Sequence, residues 1–169
     1  MARKKKVMDI QNYAPVTPVK LELNRNNLSD FKTVLLSLKE NSIDEIQINY
    51  LIHYLIPDDR IWLTNRLYEI LKSEGKATFT LPAWSSNRAY GDLLLQWPPV
   101  TESWFPHLNA QWRKENNSYD NRYTCDFDFT IGYGMHPLIV SRNQEYQQHA
   151  IMFWKEASQE LIATIIKKG

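Results

Sequence analysis

Cysteine, glycine and long apolar runs are scarce in this sequence, and each shortage narrows what the chain can do. Cys125 is the only cysteine among 169 residues, which excludes an internal disulfide and any metal motif built on two cysteines. No window approaches the roughly 18 consecutive apolar residues of a membrane span. The 20 basic and 19 acidic residues nearly cancel, so no overall field attracts nucleic acid or membranes. We expect one domain in the cytoplasm, with no metal and no membrane contact.

The first residues differ from the rest in composition. Arg3–Lys6 form a basic run, and residues 1–18 carry two prolines without a periodic apolar pattern. Such a segment is typical of a solvated tail. Basic side chains also contact phosphates, so a weak nucleic-acid contact through Arg3–Lys6 stays open as an alternative. We predict a basic flexible arm over 1–18 and a single domain over 19–169.

Alternating and helical patterns in the middle of the chain predict a parallel α/β unit. Apolar and polar residues alternate over 19–24, 45–50 and 76–83, as in strands. Between the last two, Pro57 followed by two aspartates is typical of a helix start, and Gly75 is the predicted end of that helix. A strand, a helix and a second strand in this order predict two parallel strands joined by a helical crossover.

The flanking segments are less regular. The apolar run of the second predicted strand continues well beyond its alternating part, as expected for a strand buried on both faces. A short helix capped by Ser29 precedes this strand. Residues 84–122 are rich in Trp, Pro and Asn and predict a long cover loop. The remaining patterns predict a helix over 143–159 and a C-terminal pair of strands over 124–132 and 159–167.

Three stretches of the sequence resemble a known family. Residues 38–82, with "NSIDEIQINYLIHYLIPDDR" in the middle, resemble the second half of a class I S-adenosylmethionine-dependent methyltransferase. The stretches "WSSNRAYGDLLLQWPPVTESWFPHLNAQWRKENN", from Trp84 to Asn117, and "CDFDFTIGYG", from Cys125, resemble a narrower group of these proteins found in phages and cyanobacteria. The resemblance implies a Rossmann-like α/β fold, with parallel strands, an antiparallel C-terminal strand and helices packed on the sheet.

Glycine is missing where the family's cofactor motif requires it. A class I methyltransferase holds its cofactor at a glycine-rich turn after its first strand. None of the five glycines precedes residue 75, and the predicted strand over 19–24 runs into "NRNNL". The stretch 25–45 is also too short for two further strands and their helices, since each crossover needs at least about 10 to 12 residues. The resemblance therefore implies a truncated domain that has lost the cofactor-binding half.

Two functions follow from this incomplete resemblance. The first is a non-catalytic binding, structural or regulatory protein that uses no S-adenosylmethionine. The second is an S-adenosylmethionine-dependent methyltransferase whose site is completed by oligomerisation or by a partner. Strands removed from an open sheet leave an exposed edge, so we expect a homo-oligomer or a place in a larger protein assembly. A phage origin would place the protein in the host cytoplasm or in the virion.

The resemblance places the candidate site on the loop after the family's fifth strand, near the carboxyl ends of the parallel strands. The residues implied for substrate or partner binding are Trp84, Arg88, Asp92, Trp97 and Glu102. A purely structural alternative pairs Arg88 with Asp92 and uses the tryptophans to cover the sheet. No catalytic residue is implied.

Three leucines interrupt the sequence pattern that the family has in this loop. Leu93, Leu94 and Leu95 follow Asp92 where the narrower group has Pro-Thr-His. Threonine and histidine contact substrates or transfer protons, whereas leucine does neither. We therefore expect the three leucines to be buried against the chain's own core or against a neighbouring subunit, and not to line an open catalytic pocket.

Overall fold

A computed structural model of the protein describes residues 17–118 and 120–169. The five strands are β1 (Lys20–Asn24), β2 (Ile43–Asn49), β3 (Leu71–Pro82), β4 (Phe127–Met135) and β5 (Ser158–Lys167). The α-helices are α1 (Phe31–Leu36), α2 (Pro57–Ile70), α3 (Ala110–Glu115), α4 (Pro137–Val140) and α5 (Gln144–Phe153). The basic arm predicted over 1–18, including the Arg3–Lys6 run, lies outside the described residues except for its last two positions.

The strands form one mixed sheet in the order β1-β2-β3-β5-β4. β1 pairs with β2 and β2 pairs with β3 in parallel, so that Ile46 lies opposite both Leu21 and Ala77. β5 pairs antiparallel with β3 on one side and with β4 on the other. The predicted parallel strands, the helix between them and the antiparallel C-terminal strand are confirmed.

The core forms where the alternating side chains of the strands meet the apolar stripe of α2. Ile46 and Ile48 on β2 and Phe79 on β3 are fully buried. From α2, Leu63 and Leu67 are buried in the same cluster. Burial of each such side chain contributes about 1.5–3 kcal/mol, which orders the sheet and fixes where its strand ends lie.

The prediction that Gly75 ends α2 is wrong. Leu71, the residue after α2, is extended (φ −68°, ψ 141°) and already pairs in β3 opposite Ile43. The left-handed residue near this point is Glu74, with φ 62°. Gly75 is required by close packing, because a Cβ atom there would lie 2.8 Å from the carbonyl oxygen of Lys72 and 3.2 Å from that of Ile43.

The connection between β1 and β2 contains no strand. A 3-10 helix at Arg25–Asn27 follows β1 directly, and α1 then leads to β2. Asp30, and not the predicted Ser29, is the N-cap residue of α1, and its side chain makes no capping hydrogen bond. β2 is shorter than its apolar run predicts, because Tyr50 is left-handed (φ 51°) and the next residues form a 3-10 helix at Ile52–Tyr54.

Residues 84–122 contain more regular structure than the predicted cover loop. They include 3-10 helices at Asn87–Ala89 and Glu102–Leu108, and the helix α3. Phe105 and Leu108 are fully buried in the main core. This segment is therefore a structural part of the domain as well as a cover for one end of the sheet.

The helix predicted over 143–159 is shorter in the structure. Asn143 caps α5 by accepting a hydrogen bond from the backbone N–H of Tyr146 at 2.9 Å, and Trp154 is already extended. Within residues 17–118 and 120–169, no helix is long and apolar enough to cross a membrane. The same residues contain no group of three or more His, Cys, Asp or Glu side chains that could hold a metal ion.

Candidate functional site

Three side chains meet at the edge of the sheet where the parallel strands end. Arg25 follows β1, Tyr54 follows β2 and Asp92 lies on the loop after β3. The Arg25 guanidinium lies 4.7 Å from the centre of the Tyr54 ring, and its Nη2 is 3.1 Å from Asp92 Oδ2. The hydroxyl of Tyr54 donates a hydrogen bond to the same oxygen at 3.1 Å. We call this contact the Arg25–Tyr54–Asp92 bridge, and it occupies the edge at which open α/β sheets bind ligands.

The bridge holds Asp92 as an anion. The backbone N–H of Leu94 donates to Asp92 Oδ1 at 2.9 Å. This hydrogen bond lowers the pKa of Asp92, and the hydrogen bond from Tyr54 and the charge of Arg25 lower it further. Burial and the hydrogen bond to Asp92 raise the pKa of Tyr54. Asp92 therefore serves at neutral pH as a hydrogen-bond acceptor and not as a proton donor.

A second cluster joins β2 to the start of β5. The hydroxyl of Tyr50 donates a short hydrogen bond to Glu160 Oε1, and Arg88 Nη1 lies 3.9 Å from that oxygen. Burial first, and then Glu160, raise the pKa of Tyr50 to about 12. Arg88 thus pairs with Glu160, and the alternative in which Arg88 pairs with Asp92 is wrong.

A buried imidazole contacts both clusters. His53 is 7% exposed, and its ring centre lies 4.3 Å from that of Tyr54 and 6.3 Å from that of Tyr50. Its Nδ1 is the one buried side-chain nitrogen or oxygen of the described residues without a hydrogen-bond partner. Burial, followed by the charges of Arg60 and Arg25, lowers the pKa of His53 to about 4. The imidazole is therefore neutral at pH 7.

The structure brings two predicted site residues together beside β4. Trp84 donates from its indole Nε1 to Glu102 Oε1 at 3.3 Å, and the hydroxyl of Tyr133 donates to the same oxygen at 2.6 Å. Burial and then Glu102 raise the pKa of Tyr133, so its hydroxyl keeps its proton. This cluster fixes the orientation of the Trp84 ring and offers no activated nucleophile.

The expectation that the three leucines are buried against the chain's own core is wrong. Leu93 is fully exposed, Leu94 is 54% exposed and Leu95 is half-buried. A turn causes this exposure, because the backbone N–H of Leu95 donates to the carbonyl of Asp92 at 3.2 Å while the Asp92 side chain holds the N–H of Leu94. We call residues 92–95 the leucine turn. Burial against a neighbouring subunit stays a prediction.

Further exposed apolar side chains line a groove of about 370 Å³. We call it the aromatic groove, and its lining includes Trp84, Tyr90, Met152, Phe153, Trp154 and Lys155. Tyr90 also lines the adjacent cleft, together with Leu95 and Trp97, so the groove continues into the leucine turn. Contiguous exposed apolar surface of this kind is typical of a binding surface.

Sequence reasoning misses five residues of this edge: Arg25, Tyr50, His53, Tyr54 and Glu160. The first four come soon after the ends of β1 and β2, and the rule that parallel strands end at one edge could have pointed to them. Nothing in the sequence pattern points to Glu160, because it enters the site from an antiparallel strand at the other end of the chain.

Comparisons with known proteins identify the architecture. No family model matches the sequence, and no curated protein matches it. A solved S-adenosylmethionine-dependent methyltransferase from Archaeoglobus fulgidus is similar, with a TM-score of 0.53 and 17% identity over 80% of this chain and 64% of that chain. A structure from Listeria monocytogenes, assigned to the same activity, has a TM-score of 0.45 and 12% identity over 79% of this chain and 65% of that chain.

The chain has the Rossmann-like α/β fold of S-adenosylmethionine-dependent methyltransferases. The Archaeoglobus structure carries this conclusion, and at 17% identity the likeness concerns the fold alone. The chain spans less than two thirds of the length of that protein, namely 64%.

Proposed function

We propose that the protein is methyltransferase-like in fold, does not bind S-adenosylmethionine by itself, and acts as a non-catalytic binding protein in an assembly. The observation that carries this proposal is the Arg25–Tyr54–Asp92 bridge, which links the ends of β1, β2 and β3. Ligands of this fold class bind at the same edge. A cofactor there would have to displace an ion pair, a hydrogen bond and a cation–π contact.

The turn after β1 supports the same proposal. Asn24 Oδ1 accepts from the backbone N–H of Asn26 at 2.9 Å, and Asn27 Oδ1 accepts from the N–H of Asn24 at 3.1 Å. A glycine-rich turn leaves such N–H groups free for a cofactor, whereas here asparagine side chains use them. β1 then pairs directly with β2, which is the arrangement expected of a truncated domain. The resemblance of residues 84–117 and 125–134 to the phage and cyanobacterial group supports a protein of phage type.

Calorimetry tests the proposal on the full chain. Titration with S-adenosylmethionine and with S-adenosylhomocysteine should give no binding tighter than about 100 μM, which corresponds to roughly −5.5 kcal/mol. The thermal unfolding transition of the same sample verifies that the protein is folded. Tighter binding at one site per chain would overturn the proposal. The variant Arg25→Ala opens the bridge, and a cofactor signal that arises only in this variant would support the bridge as the obstacle.

A second candidate is an S-adenosylmethionine-dependent methyltransferase whose site is completed by oligomerisation or by a partner. His53 favours it, because its Nδ1 has no hydrogen-bond partner among the described residues and can accept a hydrogen bond from a group bound at this edge. Titration of the cofactor into the assembled protein and into the monomeric Leu94→Asp variant separates the two candidates. Binding confined to the assembled form supports the enzyme, and no binding in either form supports the non-catalytic protein.

The assembly that we propose is formed by copies of this chain. The leucine turn presents exposed Leu93 and Leu94, and the aromatic groove offers an apolar surface on the same molecule. Two copies can therefore bury the leucines of one chain against the groove of the other. This contact removes exposed apolar surface from water, which is the main favourable contribution to association.

A further inference from the structure

A second cleft lies between the start of α2 and residues 97–107. We call it the Arg60 cleft; its volume is about 390 Å³, and its lining includes Arg60, Trp97, Thr101, Ser103, Trp104 and His107. No aspartate or glutamate lines it. The volume falls in the range of small-molecule sites, which spans roughly 300–1,000 Å³.

Arg60 gives this cleft a buried positive charge. The side chain is 5% exposed, and its Nε, Nη1 and Nη2 donate to the backbone carbonyls of Ile52, Pro98 and Gln96 at 3.2, 2.6 and 2.9 Å. Three of its five N–H groups suffice for these bonds. Carbonyl dipoles stabilise the guanidinium but leave its net charge in place.

No carboxylate of the described residues forms an ion pair with Arg60. The two acids beside it on α2 are engaged elsewhere, because Asp58 lies 2.6 Å from Arg122 and Asp59 lies 2.5 Å from Lys32. Burial lowers the pKa of Arg60 to about 10, so the guanidinium is still charged at neutral pH. A buried cation without a counter-ion is costly, and an anion in the cleft would offset that cost.

The cleft also contains neutral hydrogen-bond donors and two indole rings. The side chains of Thr101 and Ser103 line the cleft, and each hydroxyl can donate a hydrogen bond to an oxyanion. Trp97 is 77% exposed and Trp104 is partly buried against the core, which leaves an indole surface on the cleft for a flat ring.

We propose that the Arg60 cleft binds a small aromatic acid, in which one carboxylate or phosphate group is carried on a flat ring. The oxyanion lies against Arg60 and the two hydroxyls, and the ring lies against Trp97 and Trp104. This inference goes beyond the proposed function and does not depend on it, because it concerns neither S-adenosylmethionine nor the aromatic groove.

Matched acidic and neutral probes test the chemistry. Indole-3-acetate is compared with indole-3-acetamide, and adenosine 5′-monophosphate with adenosine, by calorimetry and by the NMR signals of the tryptophan indole N–H groups. We expect the preferred acid to bind at least about tenfold more tightly than its neutral partner and to shift the signals of Trp97 and Trp104. The preferred pair distinguishes a carboxylate from a phosphate ligand. Equal binding of acid and neutral probes, or no binding at about 10 mM, overturns the proposal.

Two variants test the location without disturbing the buried arginine. Trp97→Ala removes an exposed ring and should weaken binding of the preferred acid about tenfold, and Ser103→Ala should weaken it about fivefold. Leu138→Ala, at an exposed apolar residue on α4 that lines neither the aromatic groove nor the Arg60 cleft, is the control and should leave the affinity unchanged. Unchanged affinity in Trp97→Ala, or a loss in Leu138→Ala as large as in Trp97→Ala, contradicts the assignment to this cleft.

Discussion

At the scale of single residues, His53 makes stability depend on pH. Its pKa is about 4 in the folded protein and about 6.5 in an unfolded chain, so between these values the unfolded state takes up a proton that the folded state does not. The free energy of unfolding therefore falls as pH drops from 6.5 to 4, by up to about 3 kcal/mol. Denaturant titrations at pH 7, 5.5 and 4.5 measure this loss.

The variant His53→Gln isolates that contribution. Carboxylates with lowered pKa values, Asp44 and Asp92 among them, also destabilise the fold in acid, and they do so in both proteins. The difference between wild type and variant removes their effect. We expect the variant to lose less stability than wild type between pH 6.5 and 4. Parallel losses in the two proteins would mean that His53 is not kept neutral by its surroundings.

At the scale of elements, the junction of α2 and β3 depends on Gly75. This residue is needed because it has no Cβ atom, and not because its backbone is left-handed. A Cβ atom at Gly75 would lie 2.8 Å from the backbone oxygen of Lys72, which cannot move without disturbing β3. We expect Gly75→Ala to cost about 1–3 kcal/mol in the free energy of unfolding, measured with urea. Gly132→Ala on β4 is the control, since its Cβ would lie 3.8 Å from the nearest heavy atom. Equal stability of the two variants contradicts the steric argument.

The elements could be predicted from the sequence because their signals are local. Alternation over 76–83 marks the second part of β3 and Pro57 marks the start of α2, but β3 begins already at Leu71, before the predicted helix end at Gly75. The site could be predicted only in part, because its contacts join distant positions. Trp84 and Glu102 meet as neighbours on one loop, whereas Glu160 reaches Tyr50 through the pairing of β3 with β5.

The exposure of the leucine turn shows a second limit of sequence reasoning. An apolar run predicts burial, but a turn closed by Asp92 places Leu93 and Leu94 away from the core. An apolar run by itself therefore does not indicate which of its side chains the fold covers.

At the scale of the whole molecule, the exposed leucines and the aromatic groove predict self-association. We expect wild type to have at least twice the mass of one chain by light scattering after size exclusion. Leu94→Asp places a charge in the contact and should give a monomer that still unfolds cooperatively, because Leu94 is 54% exposed in the single chain. Leu36→Asp, at an exposed leucine on α1, is the control and should retain the wild-type mass. A monomeric wild type, or a Leu94→Asp variant with unchanged mass, contradicts an assembly through this surface.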